Sequence, residues 1–532
     1  MHRRTALREL ARGTAAAALT TLAGHPAAAA VAGELARAGG PRPAVPGGPV
    51  RVRGRVTSTA GRGVARVAVS DGLAVVETDA DGRFTLVSDG RRRRVFVCVP
   101  AGYALPGRAP NAPPGGASTG GGGRLVRADA PVAPDARGEA EARFVLAPLA
   151  APETRHRLLL LADPQTQNRF ETGRLHAETV PDVAATVRSG GGVPTFGVAC
   201  GDIMYDDLAL YPEWERAVAR MGVPFVQVAG NHDLDQGART HEGSTATFEG
   251  RYGPASWSFD RGDVHYVVLH DVFWHGAGYV GYLGADPLAW LAADLARVER
   301  GRTVVVCTHI PPHSTRAERA GERGPTPGES VTNREALYEL LAPYRAHVLS
   351  GHTHEHEHLV TERGGAAAGT RHEHVHGAVC GAWWSGDVCW DGAPNGYGVY
   401  DVRGEEVRWR YKGTGLADAV RLRVYGPGAD PAHPAAVVAN VWDWDPAWRV
   451  TWSEDGEPRG EMRRAPGLDP RARAEQTGPD RPPRRAWVEP AVTGHLFAAT
   501  PRPGAREVRV EAVDRWGARW AAGWTAAAPA PR

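Results

Sequence analysis

Oxygen and imidazole donors recur in this chain directly behind short apolar runs. Leu161 leads to Ala162-Asp163-Pro164-Gln165, Cys200 to Gly201-Asp202, and Ala229 to Gly230-Asn231-His232-Asp233. Cys307 leads to Thr308-His309, and Ser350 to Gly351-His352-Thr353-His354. Short, nearly continuous apolar runs suit strands buried on both faces. In an open α/β sheet the carboxyl ends of the strands form the crevice where ligands bind. The loops thus offer two Asp, one Asn, one Gln and three His to a common volume. That donor set suits a pair of borderline divalent cations such as Mn, Fe or Zn. One carboxylate shared between two ions ~3.5–4 Å apart is an arrangement used for in-line displacement at phosphorus. A single Gly-Asp or His is uninformative, whereas all five loops in order are specific.

The elements that must position these residues follow from periodicity. Leu158–Leu161, Phe196–Ala199, Phe225–Ala229, Val264–Leu269, Val304–Cys307 and His347–Leu349 read as buried strands. Between several of them, Pro181–Arg188, Pro212–Met221, Pro287–Arg300 and Asn333–Tyr344 have helical patterns, three opening on Pro, which a helix's first turn tolerates. Alternating strands and helices predict an α/β domain over 155–384. Before it, residues 50–149 alternate in short runs broken by Asp71-Gly72, Asp81-Gly82 and Asp89-Gly90, all favourable hairpin chemistry. They predict a small antiparallel β-sandwich, with Gly115–Gly123 as a flexible loop inside it. The pattern resembles the carboxypeptidase-regulatory or transthyretin-like β-domains. After about Gly377 strands return, at Gly398–Val402, Glu406–Tyr411, Ala419–Val424, Ala436–Val441 and Glu507–Val513, so 385–532 reads as a β-rich C-terminal domain. Within it, the polar Gly456–Pro483 reads as a long loop.

The ordered motifs resemble the calcineurin-like metallophosphoesterase superfamily over about Arg155 to Trp384, and the segment Tyr252-Gly-Pro254 to Leu269 is similar as well. The flanking β-domains and Gly377-Ala-Val-Cys-Gly-Ala-Trp-Trp-Ser-Gly386 resemble a bacterial subgroup with accessory domains on both sides. The resemblance implies an α/β fold with a calcineurin-like β-sandwich core flanked by helices, between an N-terminal β-sandwich and a C-terminal β-rich domain. It implies two divalent metal ions, one on Asp163, Gln165, Asp202 and His354, the other on Asp202, Asn231, His309 and His352, with Asp202 bridging. Gln165 departs from the commoner His at that position and donates more weakly. His232 occupies the proton-donor position. The expected reaction is hydrolysis of a phosphomonoester or phosphodiester by a metal-bridged hydroxide, with His232 protonating the leaving oxygen and Asp206 orienting its ring. Tyr205 matches the position where purple acid phosphatases bind ferric iron, but those enzymes lack a counterpart of Gln165, so Tyr205 is expected to pack beside the site.

Two other readings compete: a non-catalytic, metal-containing surface or glycan-binding protein, and a nuclease. Formal net charge is +2, and residues 1–30 carry four arginines against one glutamate, so the remainder stands at about −1. Near-neutrality disfavours extended nucleic-acid binding, which draws its affinity from phosphate neutralisation. The expected partner is a small phosphorylated substrate.

Arg3-Arg4, a mildly apolar run from Gly13 to Gly24 and small residues at Ala27–Ala30 resemble a twin-arginine export signal over 1–30. A linker follows over 31–49. The chain is therefore expected outside the cytoplasm, extracellular or in the cell envelope, with no transmembrane segment. Among five cysteines, Cys200 and Cys307 read as buried, while Cys380 and Cys389 could bridge. His352, His354, His356 and His358 alternate, as do His372, His374 and His376, which predicts a His-lined hairpin around Thr361–Thr370: an additional metal or phosphate site, or simply a polar face. Trp383 and Trp384 could stack on a substrate or belong to the core.

Overall fold

The computed structural model describes residues 48–106, 127–362, 370–479, 481 and 485–526. The expected leader, most of the linker, the Gly115–Gly123 loop and the tip of the His-lined hairpin lie outside these residues.

Two sheets face each other at the centre. The first has five strands in the order Phe225–Val228, Thr195–Cys200, Arg155–Leu161, Gly396–Arg403 and Glu406–Gly413. The second has six, in the order Trp257–Arg261, Val264–Val268, Thr303–Cys307, Arg345–Ser350, Thr370–Val375 and Glu357–Glu362. Strand periodicity divides the leucines of Arg155–Leu161. Leu158 and Leu160 pack between the sheets with Tyr266, Val304 and Val306. Leu159 and Leu161 pack outward with Val183, Trp214 and Val218, from helices Val180–Ser189 and Tyr211–Met221. Helices Ala285–Leu295 and Arg334–Leu341 bury Trp290, Leu291, Leu337 and Leu341 in the same core as the second sheet. The core is thus a helix-flanked β-sandwich, with the donor loops at the carboxyl ends of parallel strands.

The N-terminal domain is also a sandwich, of two four-stranded sheets. It is not wholly antiparallel: Val50–Ser58 pairs parallel with Glu139–Pro148. The C-terminal part likewise has two four-stranded sheets, closed on Val437, Trp448, Phe497, Val508 and Val510.

The structure departs from the sequence reading in three further places. The strand expected from Ala419 begins only at Arg423. The expected loop Gly456–Pro483 holds strands Glu457–Glu461, Arg463–Arg464 and Gly467–Leu468 and helix Pro470–Thr477. That helix starts on an Asp-Pro signal, with Asp469 accepting from the Arg471 and Ala472 amides, but its polar residues give no apolar stripe to reveal it. Finally, strands Gly396–Arg403 and Glu406–Gly413 complete the first central sheet although they follow residue 385.

Candidate functional site

The donor loops converge at one end of the sandwich. Asp163, Gln165, Asp202, Asn231, His309 and His354 are all buried, and His352 is partly so. Six of the eleven non-glycine residues with positive φ among the described residues are Asp163, Gln165, Asp202, Asp206, His352 and His354. Each such backbone costs ~1–3 kcal/mol, strain that clusters where side chains must be aimed. Glycines provide the close approaches: a Cβ on Gly230 would fall 2.2 Å from Asp202 Oδ1, and one on Gly351 would fall 2.4 Å from Asp163 Oδ2.

The three imidazoles share one device. His309 Nδ1–H donates to the Cys200 carbonyl at 2.9 Å, His352 Nε2–H to that of Gly328 at 2.8 Å, and His354 Nδ1–H to that of Gly381 at 2.7 Å. A carbonyl accepts only, so each of these nitrogens carries its proton and the opposite nitrogen is turned inward; on His309, burial opposes the charge but Asp202 and Asp163 outweigh it and raise the pKa to about 10. His309 Nε2 lies 3.2 Å from Asp202 Oδ1, 3.0 Å from Asn231 Oδ1 and 3.1 Å from His352 Nδ1. His354 Nε2 lies 3.6 Å from Asp163 Oδ1. Gln165 Nε2 donates to Asp202 Oδ2 at 3.1 Å, and a rotation about its last bond would present Oε1 instead. Asp202 thus links Gln165 to His309, while Asp163 pairs with His354 and accepts from the His352 amide.

The charge balance fits cations. Burial pushes the Asp163 carboxyl up to about 8. Burial would raise Asp202 too, but the imidazoles of His309 and His232 outweigh it and hold that carboxyl below the ordinary range. Burial pushes His352 down to about 3 and His354 to about 4, leaving both neutral, as ligands must be. Buried carboxyl groups and imidazole nitrogens turned toward a common interior are groups that could hold positive ions.

His232 stands beside this group. Its backbone amide donates to Asp202 Oδ1 at 2.9 Å, and its Nδ1 is paired with Asp206 Oδ1 at 2.8 Å. Burial would lower its pKa, but Asp202 and Asp206 outweigh burial and raise it. The Tyr205 ring stacks on His232 at 4.2 Å, under the Arg485 guanidinium. Trp384 is core, donating from Nε1 to the Pro164 carbonyl behind Asp163. Trp383 stacks on His354 at 4.3 Å and meets Trp487 in a tilted contact at 4.6 Å, and Trp487 is 55% exposed. Cys380 and Cys389 are buried and unbridged, as are the other three cysteines.

Several supporting residues escaped sequence reasoning. Asp233 accepts from the amides of Gly230 and Ile203 and from the Tyr211 hydroxyl, tying two donor loops together. Asp271 accepts from the His309 amide, and Gln236 donates to Asp206 and to the Asn231 carbonyl. Asp233 lies in the Asn-His-Asp motif and was in plain view. Arg485 and Trp487 come from a proline-rich stretch with no motif at all.

Comparison with known families gives three matches. Residues 156–356 match calcineurin-like phosphoesterase, 50–114 its N-terminal domain and 373–520 its C-terminal domain. No curated protein matches. Among solved structures, a dimetal phosphatase from Danio rerio is 14% identical over 49% of this chain and 97% of its own, with TM-score 0.34. A purple acid phosphatase from yellow lupin is 12% identical over 65% of this chain and 67% of its own, with TM-score 0.36. A 5'-nucleotidase from Candida albicans is 10% identical over 48% and 51%, with TM-score 0.29.

Proposed function

The chain belongs to the calcineurin-like phosphoesterases, metal-dependent phosphoric ester hydrolases working with two divalent cations, and from that premise we propose how its own residues divide the work. Asp163, Gln165, Asp202 and His354 hold one cation; Asp202, Asn231, His309 and His352 hold the other, with Asp202 shared. The observation that carries this reading is the common device of the three imidazoles, each spending one N–H on a backbone carbonyl and turning its other nitrogen inward. Two such ions supply Lewis acidity and water activation near neutral pH.

The remaining work falls to the protein. His232, on the rim, gives its Nε2 proton to the leaving oxygen as the P–O bond breaks. Asp206 holds the Nδ1 side of that ring, and so fixes both its orientation and its charge. Tyr205 stacks against the ring and limits its tilt. The substrate is a small phosphomonoester or phosphodiester. Among the described residues no helix is long and apolar enough to cross a membrane. The Arg3-Arg4 leader directs the enzyme to the extracellular space or cell envelope.

The test is hydrolysis of a chromogenic phosphomonoester and the matching diester by protein starting at about Val31, after chelation and after Mn or Zn add-back. Turnover should vanish on chelation, return with metal, and be lost in Asp202→Asn. Metal-independent turnover, or full activity in Asp202→Asn, would overturn the reading, and the preferred ester selects the substrate class.

A further inference from the structure

A second cluster of imidazoles lies inside the protein, apart from the groups above. The predicted His-lined hairpin forms: Glu357–Glu362 pairs antiparallel with Thr370–Val375, placing His358 opposite His374. Asp443, from the C-terminal part of the chain, reaches this hairpin. His356 Nε2 lies 3.1 Å from His358 Nε2, and these nitrogens lie 3.2 and 2.9 Å from Asp443 Oδ1. All three side chains are at most 2% exposed.

This triangle is a poor hydrogen-bond arrangement. Its sides are nearly equal, so the two nitrogens subtend about 60° at the oxygen. Hydrogens set ~1.9 Å from Oδ1 along both lines would sit only ~1.9 Å apart, inside their contact distance. It is a good coordination arrangement: a point about 1.1 Å above the triangle's plane lies ~2.1 Å from all three atoms, the usual distance of Zn²⁺ from imidazole nitrogen and carboxylate oxygen. The surroundings orient the ligands as outer partners of metal sites do. Asp443 Oδ2 accepts from the Tyr411 amide at 2.9 Å. His358 Nδ1 lies 3.1 Å from His374 Nδ1, whose other nitrogen lies 3.0 Å from His347 Nδ1. The remaining contact, Gly377 N–H at 3.4 Å from His356 Nδ1, is too long to fix that ring's tautomer.

We propose that His356 Nε2, His358 Nε2 and Asp443 Oδ1 bind a third divalent cation, of the Zn²⁺ class, which pins the C-terminal part of the chain to the catalytic sandwich. Being closed off from solvent, the site is structural. It is independent of the catalytic assignment, and its test keeps the two apart.

Untagged full chain is loaded with Zn²⁺, freed of loose metal by gel filtration, and its zinc counted by mass spectrometry. Three ions per chain are expected. One should remain in Asp163→Asn/Asp202→Asn, which removes shared catalytic ligands, and two in Asp443→Asn. Anomalous diffraction at the zinc edge from the unmutated protein should give a peak between His356, His358 and Asp443, a readout that survives if Asp443→Asn fails to fold. Two ions per chain with anomalous density confined to the catalytic loops would overturn the proposal, meaning that a protonated imidazole balances Asp443. A third ion bound elsewhere, or retained in folded Asp443→Asn, would overturn it equally.

Discussion

If His232 protonates the leaving oxygen, its removal must hurt in proportion to how much the leaving group needs that proton. The perturbation is His232→Ala, assayed on two esters sharing one phosphoryl group, an alkyl ester and a nitrophenyl ester. General-acid assistance contributes ~10²–10⁴ to an alkoxide departure, and far less where the product is already stable as an anion. The alkyl ester should lose that full factor, and the nitrophenyl ester about tenfold or less. Asp206 gives a second, graded point. Its 2.8 Å contact to Nδ1 is a charge-assisted hydrogen bond, nominally ~1.5–3 kcal/mol. The carboxylate is 45% exposed, and water competition discounts the interaction to ~0.5–1 kcal/mol. Asp206→Asn should then slow the alkyl ester ~2–5-fold. The assay is kcat/KM for both esters in all three proteins at saturating metal. Equal losses on both esters in His232→Ala would refute proton donation and leave His232 a phosphoryl-binding residue.

Three further outcomes are expected. His265 is buried between Asp260 Oδ1 at 2.8 Å and Asp294 Oδ2 at 3.0 Å; burial opposes its charge, but the carboxylates outweigh burial and push it from 6.5 up to about 10. That stabilisation is complete below about pH 6.5 and fades as pH rises toward 10, so Tm should fall across this window, and His265→Gln should flatten the decline; parallel profiles would count against it. In Gly230→Ala the new Cβ meets Asp202 N at 2.1 Å, so activity and metal content should drop by ~10² or more while circular dichroism stays native, and an active variant would show the loop can yield. Trp487→Ala removes an exposed ring in tilted contact with Trp383, and on an aryl phosphate KM should rise ~2–10-fold with kcat unchanged; an unchanged KM would place substrate elsewhere.

The donor loops were legible because buried parallel strands write themselves as apolar runs, and the residues just after them have few other places to be. Pairing across sequence was not legible. The strand Gly396–Arg403 has an ordinary pattern, and its partner Arg155–Leu161 is chosen by the tertiary fold rather than by anything local. The helix Pro470–Thr477 escaped because a mostly polar, arginine-rich surface helix has no hydrophobic period to detect. Alternating histidines did announce the hairpin, but a spacing rule could not reveal that Asp443 would meet them.

The strand Gly396–Arg403 also bears on how the molecule is assembled. It pairs along Arg155–Leu161, the strand that presents Asp163, with Leu158 opposite Tyr400 across more than two hundred residues. The catalytic sheet therefore closes only after the second sheet's strands have been made, and loop closure over such a distance is slow. Until then Arg155–Leu161 is an open apolar edge, the kind that pairs with other chains. A chain stopped at residue 384 would keep that edge permanently, so the catalytic unit cannot be cut out at the point where its last recognisable motif ends.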